Sequence, residues 1–130
     1  MDEHLKELSD HRLERAARNL DVSEKVLADG YYNFAINRAY YAVFEAMRAV
    51  NTIDGFDSSK HSGVIAHFNQ YHVKTGEFDR DTSTIIRRAS TLREKSDYED
   101  FFEADKADAQ TVLQEARDFI ARVRVFLSTQ

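Results

Sequence analysis

Residues 31–47, YYNFAINRAYYAVFEAM, place four tyrosines, two phenylalanines and one arginine in seventeen positions. On a helix advancing ~100° per residue, Phe34, Arg38, Tyr41 and Glu45 stand one above another. Farther along, LREKSDYED brings Arg93, Asp97 and Tyr98 close together in sequence. Arginine forks hold phosphate in two-point contacts, so Arg38 and Arg93 are candidate phosphate ligands, with Tyr41, Glu45 and Asp97 as polar neighbours. His61, in KHSG at the expected start of a helix, titrates in the physiological range, and a helix N-terminus attracts anions. Tyr98 or Tyr41 can donate a proton, although a phenol near its free pKa of ~10 is a poor base. The same residues also admit a packing role, in which Arg38 and Arg93 pair with Asp97, Glu45 or Asp100. In that reading His61 caps its helix or hydrogen-bonds a tyrosine.

Positioning these groups falls to helices. The chain of 130 residues has no proline and four glycines, so little interrupts a helix. Its 42% apolar and 32% charged content is globular, and the length suits one domain, 1–130. Without cysteine there is no disulfide scaffold, thiol nucleophile or cysteine-ligated zinc, which fits a reducing cytoplasm. The opening MDEHLKELSD is charged from its second residue, unlike a signal peptide, and no apolar run approaches the ~20 residues that span a bilayer. A net charge of −5 argues against a dedicated DNA-coating protein but leaves local basic patches possible.

Apolar spacing predicts helices over residues 2–29, 31–50, 60–71 and 80–95, and one beginning after Asp105. Gly30 stops the first. Ser58 or Ser59 is expected to cap the third, Asp79 the fourth and Asp105 the fifth. The expected fold is all-α: an up-down bundle of four main helices plus one short helix. In the second helix Ile36, Tyr40, Val43, Phe44, Met47 and Val50 form the core face. The opposite arc, Tyr31, Phe34, Asn37, Arg38, Tyr41, Glu45 and Arg48, has the Tyr, Phe and Arg character of interfaces and binding clefts.

NRAYYAVFEAMRA on the second helix, KHSG opening the third and LREKSDYEDF closing the fourth resemble the HEPN domain superfamily, in its small stand-alone prokaryotic branch. That resemblance covers nearly the whole chain. It implies a homodimer packing its second and fourth helices near the two-fold axis, often encoded beside a small nucleotidyltransferase as a toxin–antitoxin pair. Active members are metal-independent ribonucleases with an arginine followed, after four to six residues, by a histidine. Arg93 matches the arginine, but Tyr98, Glu99 and Asp100 occupy the histidine positions, and no histidine follows His72. The branch pattern Arg-x-x-x-Asp-Tyr is met by Arg93, Asp97 and Tyr98.

Cleavage through a 2′-hydroxyl needs a proton acceptor, a proton donor and a cation at the phosphate, for which His61, Tyr98 and Arg93 are the candidates. The preferred reading is a cytoplasmic, HEPN-like homodimer that binds nucleotide or RNA as the toxin-like half of a two-gene module. A metal-independent ribonuclease and a non-catalytic interaction module are the alternatives. No cofactor is expected. His61, His67 and His72 lie six and five apart, not the three or four that aligns ligands on an α-helix, so no metal site is expected either. Arg12, Arg15 and Arg18 line an edge of the first helix, but the interspersed Glu14 and Glu24 make it an ordinary solvated face rather than an RNA groove. Phe101 and Phe102 are expected to tuck their connection onto the core.

Overall fold

A computed structural model of the chain describes residues 2–130, in five α-helices: α1 (Glu3–Ala28), α2 (Tyr32–Thr52), α3 (His61–Phe68), α4 (Asp81–Tyr98) and α5 (Lys106–Ser128). A π-helical turn, Asn69–Val73, continues α3. The fold is all-α.

Local sequence signals account for most of the boundaries. Asp2 caps α1 by accepting from the His4 and Leu5 amides, and Asp105 caps α5 by accepting from Asp108 N at 2.7 Å. α1 ends in a Schellman turn: Gly30 N donates to Leu27 O and Tyr31 N to Val26 O, which requires the left-handed φ of +86° at Gly30. The other two expected caps differ. Lys60 occupies the cap position of α3, and Ser58 Oγ accepts the Lys60 amide instead. At α4 the cap position is Arg80, and Asp79 contributes its backbone carbonyl to Thr82 N, not its carboxylate.

Two extents also differ from expectation. α4 runs a turn longer, closed by Glu99 N donating to Lys95 O, so Asp97 is helical and one turn from Arg93. The third helix widens after Phe68, where Lys74 N reaches back five residues to Asn69 O. In such a turn, residues five apart lie one above another.

Helix α2 is the axis, touching α1, α3, α4 and α5. Contacts pairing Ser9 with Ala49 and Ser23 with Ala35 run α1 antiparallel to α2. Arg88–Glu115 and Arg122–Asp81 do the same for α4 and α5, giving the up-down bundle. Every residue from Ala42 to Met47 is buried. Around them pack Ala16 of α1, Val64 and Phe68 of α3, Ile85, Ile86 and Ala89 of α4, and Leu113, Phe119 and Val123 of α5. Phe102 packs against this core, but Phe101 does not: it is 99% exposed.

Phe119 is fully buried, whereas Val125 on the same helix is 68% exposed. Phe119→Ala is expected to cost about 3–5 kcal/mol in urea unfolding. Val125→Ala should stay within about 0.5 kcal/mol.

Candidate functional site

One hydrogen-bonded chain of side chains crosses from α1 through α2 to α4. Arg38 donates from Nε and Nη2 to Asn37 Oδ1 at 2.9 and 2.7 Å, and from Nη1 to Asn19 Oδ1 at 3.1 Å. Asn37 turns its amide nitrogen to both oxygens of Asp97, at 3.2 and 3.0 Å. Asp97 Oδ2 lies 3.5 Å from Arg93 Nη1. Arg38 and Arg93, on different helices, therefore share one polar network.

Its charges do not balance. Both partners of Arg38 are neutral amides, and among the described residues Asp97 is the one carboxylate paired with either guanidinium, that of Arg93. Arg93 is nearly buried, yet its Nε has no hydrogen-bond partner among those residues. Aromatic faces take up part of the deficit: Arg93 lies over the rings of Tyr40 and Tyr98, at 4.7 and 5.9 Å, and Arg38 over Tyr41 at 5.0 Å. With no acid paired to Arg38 and only Asp97 paired to Arg93, this face favours an anion.

His61 joins through Tyr40. The Tyr40 hydroxyl and His61 Nδ1 are 2.9 Å apart, and the His61 ring packs on Phe44 at 4.2 Å. Burial, opposed by the nearby Arg93 charge, pushes the Tyr40 phenol up to about 12. Burial, reinforced by Arg93, pulls His61 below the usual histidine value. Both groups are thus neutral near pH 7, and which nitrogen of His61 carries the proton follows from whether the phenol donates or accepts.

The structure gathers Arg38, Tyr41, Arg93, Asp97, Tyr98 and His61 around this network, with Tyr98 74% exposed at its edge. Glu45 is not among them. Eleven residues from Phe34 correspond to ~16 Å along the axis, so alignment on one face does not bring Glu45 to the same place. It is buried beside Arg48, at 3.2 Å, and Arg15, at 3.9 Å. On α1 the arginines part: Arg15 and Arg18 lie on the solvated face expected from the interspersed acids, and Arg12 turns inward. Arg12 is buried, bonded to Thr52 Oγ1 and Asp57, while Arg18 pairs with Glu14.

Asn19, Asn37 and Tyr40 were missed as site residues. Asn37 adjoins Arg38 on the polar arc, and a phenol on a core face demands a partner, so both carried a local signal. The role of Asn19 depends on α1 packing and carried none.

The profile of the HEPN domain matches residues 9–126, and this chain belongs to that family. A candidate toxin of Methanocaldococcus jannaschii is 30% identical over 115 residues, 88% of this chain and 78% of that protein. A UPF0332 protein of Thermotoga maritima is 32% identical over 106 residues, 82% of this chain and 80% of that protein. Among solved structures, TT1696 from Thermus thermophilus superposes with a TM-score of 0.77 at 20% identity, over 91% of this chain and 97% of that one. ST0689, described as an archaeal HEPN homologue, gives 0.64 at 16% identity, over 92% and 97%. These two structures bear on the fold alone.

Histidine NMR tests the electrostatics. The His61 ring should titrate below ~6.5, and Arg93→Gln should move its midpoint upward. The stability His61 contributes is complete above the ordinary histidine value and declines as pH falls toward its depressed one. His61→Gln should therefore flatten the fall in stability across that window.

Proposed function

We propose that this protein is a cytoplasmic, homodimeric HEPN protein that holds a phosphate group of RNA or a nucleotide on Arg38 and Arg93. We further propose that it is the toxin-like half of a two-gene module with a small nucleotidyltransferase. The observation that carries the binding reading is the under-neutralised guanidinium pair: Arg38 held only by amides, and Arg93 by Asp97 alone at 3.5 Å. A phosphate oxygen supplies the acceptors and charge that the protein leaves out. Asn37 and Asp97 are positioning residues, fixing the two forks relative to each other. Tyr41 and Tyr98 offer rings on which a base can stack. The toxin-like reading draws support from two relatives in Methanocaldococcus jannaschii that bear candidate-toxin names. No helix among the described residues is long and apolar enough to cross a membrane.

Homodimer formation finds support in exposed rings near the α2 and α4 ends of this face: Phe34 is 66% exposed, Tyr31 58% and Phe101 99%. Solvent-facing aromatics of this kind are enriched at interfaces. Light scattering should give twice the chain mass for the parent protein, and a monomer for the double variant Phe34→Asp, Phe101→Ser. A parent monomer at micromolar concentration refutes the dimer.

A second reading, metal-independent ribonuclease, is favoured by the neutral His61 imidazole. With Nδ1–H donating to the Tyr40 oxygen, Nε2 keeps the lone pair of a general base. In the opposite tautomer Nε2–H is a donor. Labelled single-stranded RNA incubated in EDTA separates the readings. Binding without cleavage is expected, fading steeply with salt, and Arg38→Ala should weaken it about tenfold or more, as loss of a charge-assisted contact does. Cleavage abolished by both His61→Ala and Arg93→Ala would instead establish the enzyme. Absence of any shift at low salt would sink the phosphate site.

A further inference from the structure

The π-helical turn creates a second constellation, at the opposite end of α2. His67 precedes it and His72 lies within it, five residues on, and the widened turn points both rings at the same place. What they meet is Asp54, in the turn after α2. Its Oδ2 is 2.8 Å from His67 Nε2 and 2.6 Å from His72 Nε2. Three ligand atoms from two histidines and a carboxylate thus converge within 4.8 Å of one another.

Each member is held by its surroundings. Asp54 sits in a tight turn, its amide bonded to Asn51 O, and Gly55 follows with a φ of +71°. The His67 ring stacks between Phe56, at 4.0 Å and 9° from parallel, and Tyr71 at 4.5 Å. His72 is 3% exposed, packed between Phe68 and Phe126. Phe78 N donates to His72 O, which folds the following loop back and brings Glu77 beside the ring.

The nitrogen on the far side of His72 is the telling feature. Nδ1 is buried without a hydrogen-bond partner among the described residues, and Glu77 Oε2 lies 3.5 Å away. Carboxylates face both ring nitrogens of His72, so a ring carrying one proton leaves a bare lone pair against one of them, and only a second proton or a metal ion on Nε2 serves both sides. A cation bound by Nε2 and the Asp54 oxygen satisfies both, with Nδ1–H donating to Glu77. The 2.6 Å hydrogen-bond separation of Nε2 and Oδ2 then opens to the roughly 3.3 Å that tetrahedral bonds of about 2.0 Å require. Carboxylate–histidine–metal relays of this kind are the usual outer shell of imidazole-ligated metals.

We propose that Asp54, His67 and His72 bind a divalent transition metal, zinc by the nature of the donors, with Glu77 as the outer-shell partner of His72. Three protein donors leave the fourth tetrahedral position to water or another small ligand. The ion would clip the α2–α3 connection to the π turn. The sequence spacing, read on an α-helical wheel, gave no sign of this, because the wheel is wrong for residues 69–73. The inference does not depend on the phosphate site.

The test uses the full 130-residue chain, freed of metal with a chelator and titrated with zinc sulfate against a chromogenic indicator. One equivalent per chain is expected, with visible d–d absorption of tetrahedral type when cobalt replaces zinc. Glu77→Gln should weaken binding about 10- to 100-fold, the usual effect of an outer-shell loss. Asp54→Asn and His67→Gln should each weaken it further. Both leave the buried His72 in place, and far-UV circular dichroism checks their fold. Zinc should raise the unfolding temperature of the parent but not of Asp54→Asn. Failure to take up zinc overturns the proposal, and so does uptake that survives both Asp54→Asn and His67→Gln, which would place the metal elsewhere.

Discussion

Enclosure of α2 is the constraint on which the rest of the structure depends. A helix touched by four others has little surface left for water, yet this one carries Asn37, Arg38, Tyr40, Glu45, Arg48 and Asn51. Leaving a buried polar atom unpaired costs about 1–3 kcal/mol, and among the described residues of α2 only the buried Arg48 Nε and Asn51 Oδ1 go without a partner. The partners come from three of its four neighbours: Asn19 of α1 for Arg38, Asp97 of α4 for Asn37, and from α3 His61 for Tyr40 and the Val64 carbonyl for Asn51. Glu45 is held by Arg15 and Arg48. The polar side chains of α2 therefore set the register of the bundle as much as its apolar ones fill it.

That constraint also explains which parts were legible in the sequence. Periodicity sorted the α2 core face correctly because Ile36, Tyr40, Val43, Met47 and Val50 are local to one helix and their burial follows from spacing alone. Asp105 was legible as a cap for the same reason. Glu45 was not: a helical wheel reports angle and discards distance along the axis, and only the packing of α1 brings Arg15 to it. The meeting of Arg38 with Arg93 was open in the sequence because it runs through Asn37 and Asp97, sixty positions apart. Phe101 and Phe102 look identical in sequence, yet only Phe102 reaches the core. Asn33 decides between them, bonding to the Phe102 carbonyl and accepting the Ala104 amide.

The π turn was invisible for a different reason. NQYHV carries no proline, glycine or charge pattern that marks a widened helix. Its consequence is nonetheless large, since one extra residue in the turn rotates everything after it by about 100° relative to an α-helix. That rotation sends His72 and Val73 into the interior. In an uninterrupted α-helix His72 would point away from His67 and Asp54 would face a single imidazole.

Helix α3 is what keeps the two polar centres separate. His61 and His67 lie six residues apart, so they stand about 240° from each other around the helix. His61 faces Tyr40 and Phe44, within reach of the Arg93 field, while His67 faces Phe56 and Asp54. Between them Val64 and Phe68 are buried in the core, with apolar side chains only. The chain thus builds two different histidine surroundings on a helix of eight residues, one packed on rings near Arg93 and the other bonded to Asp54.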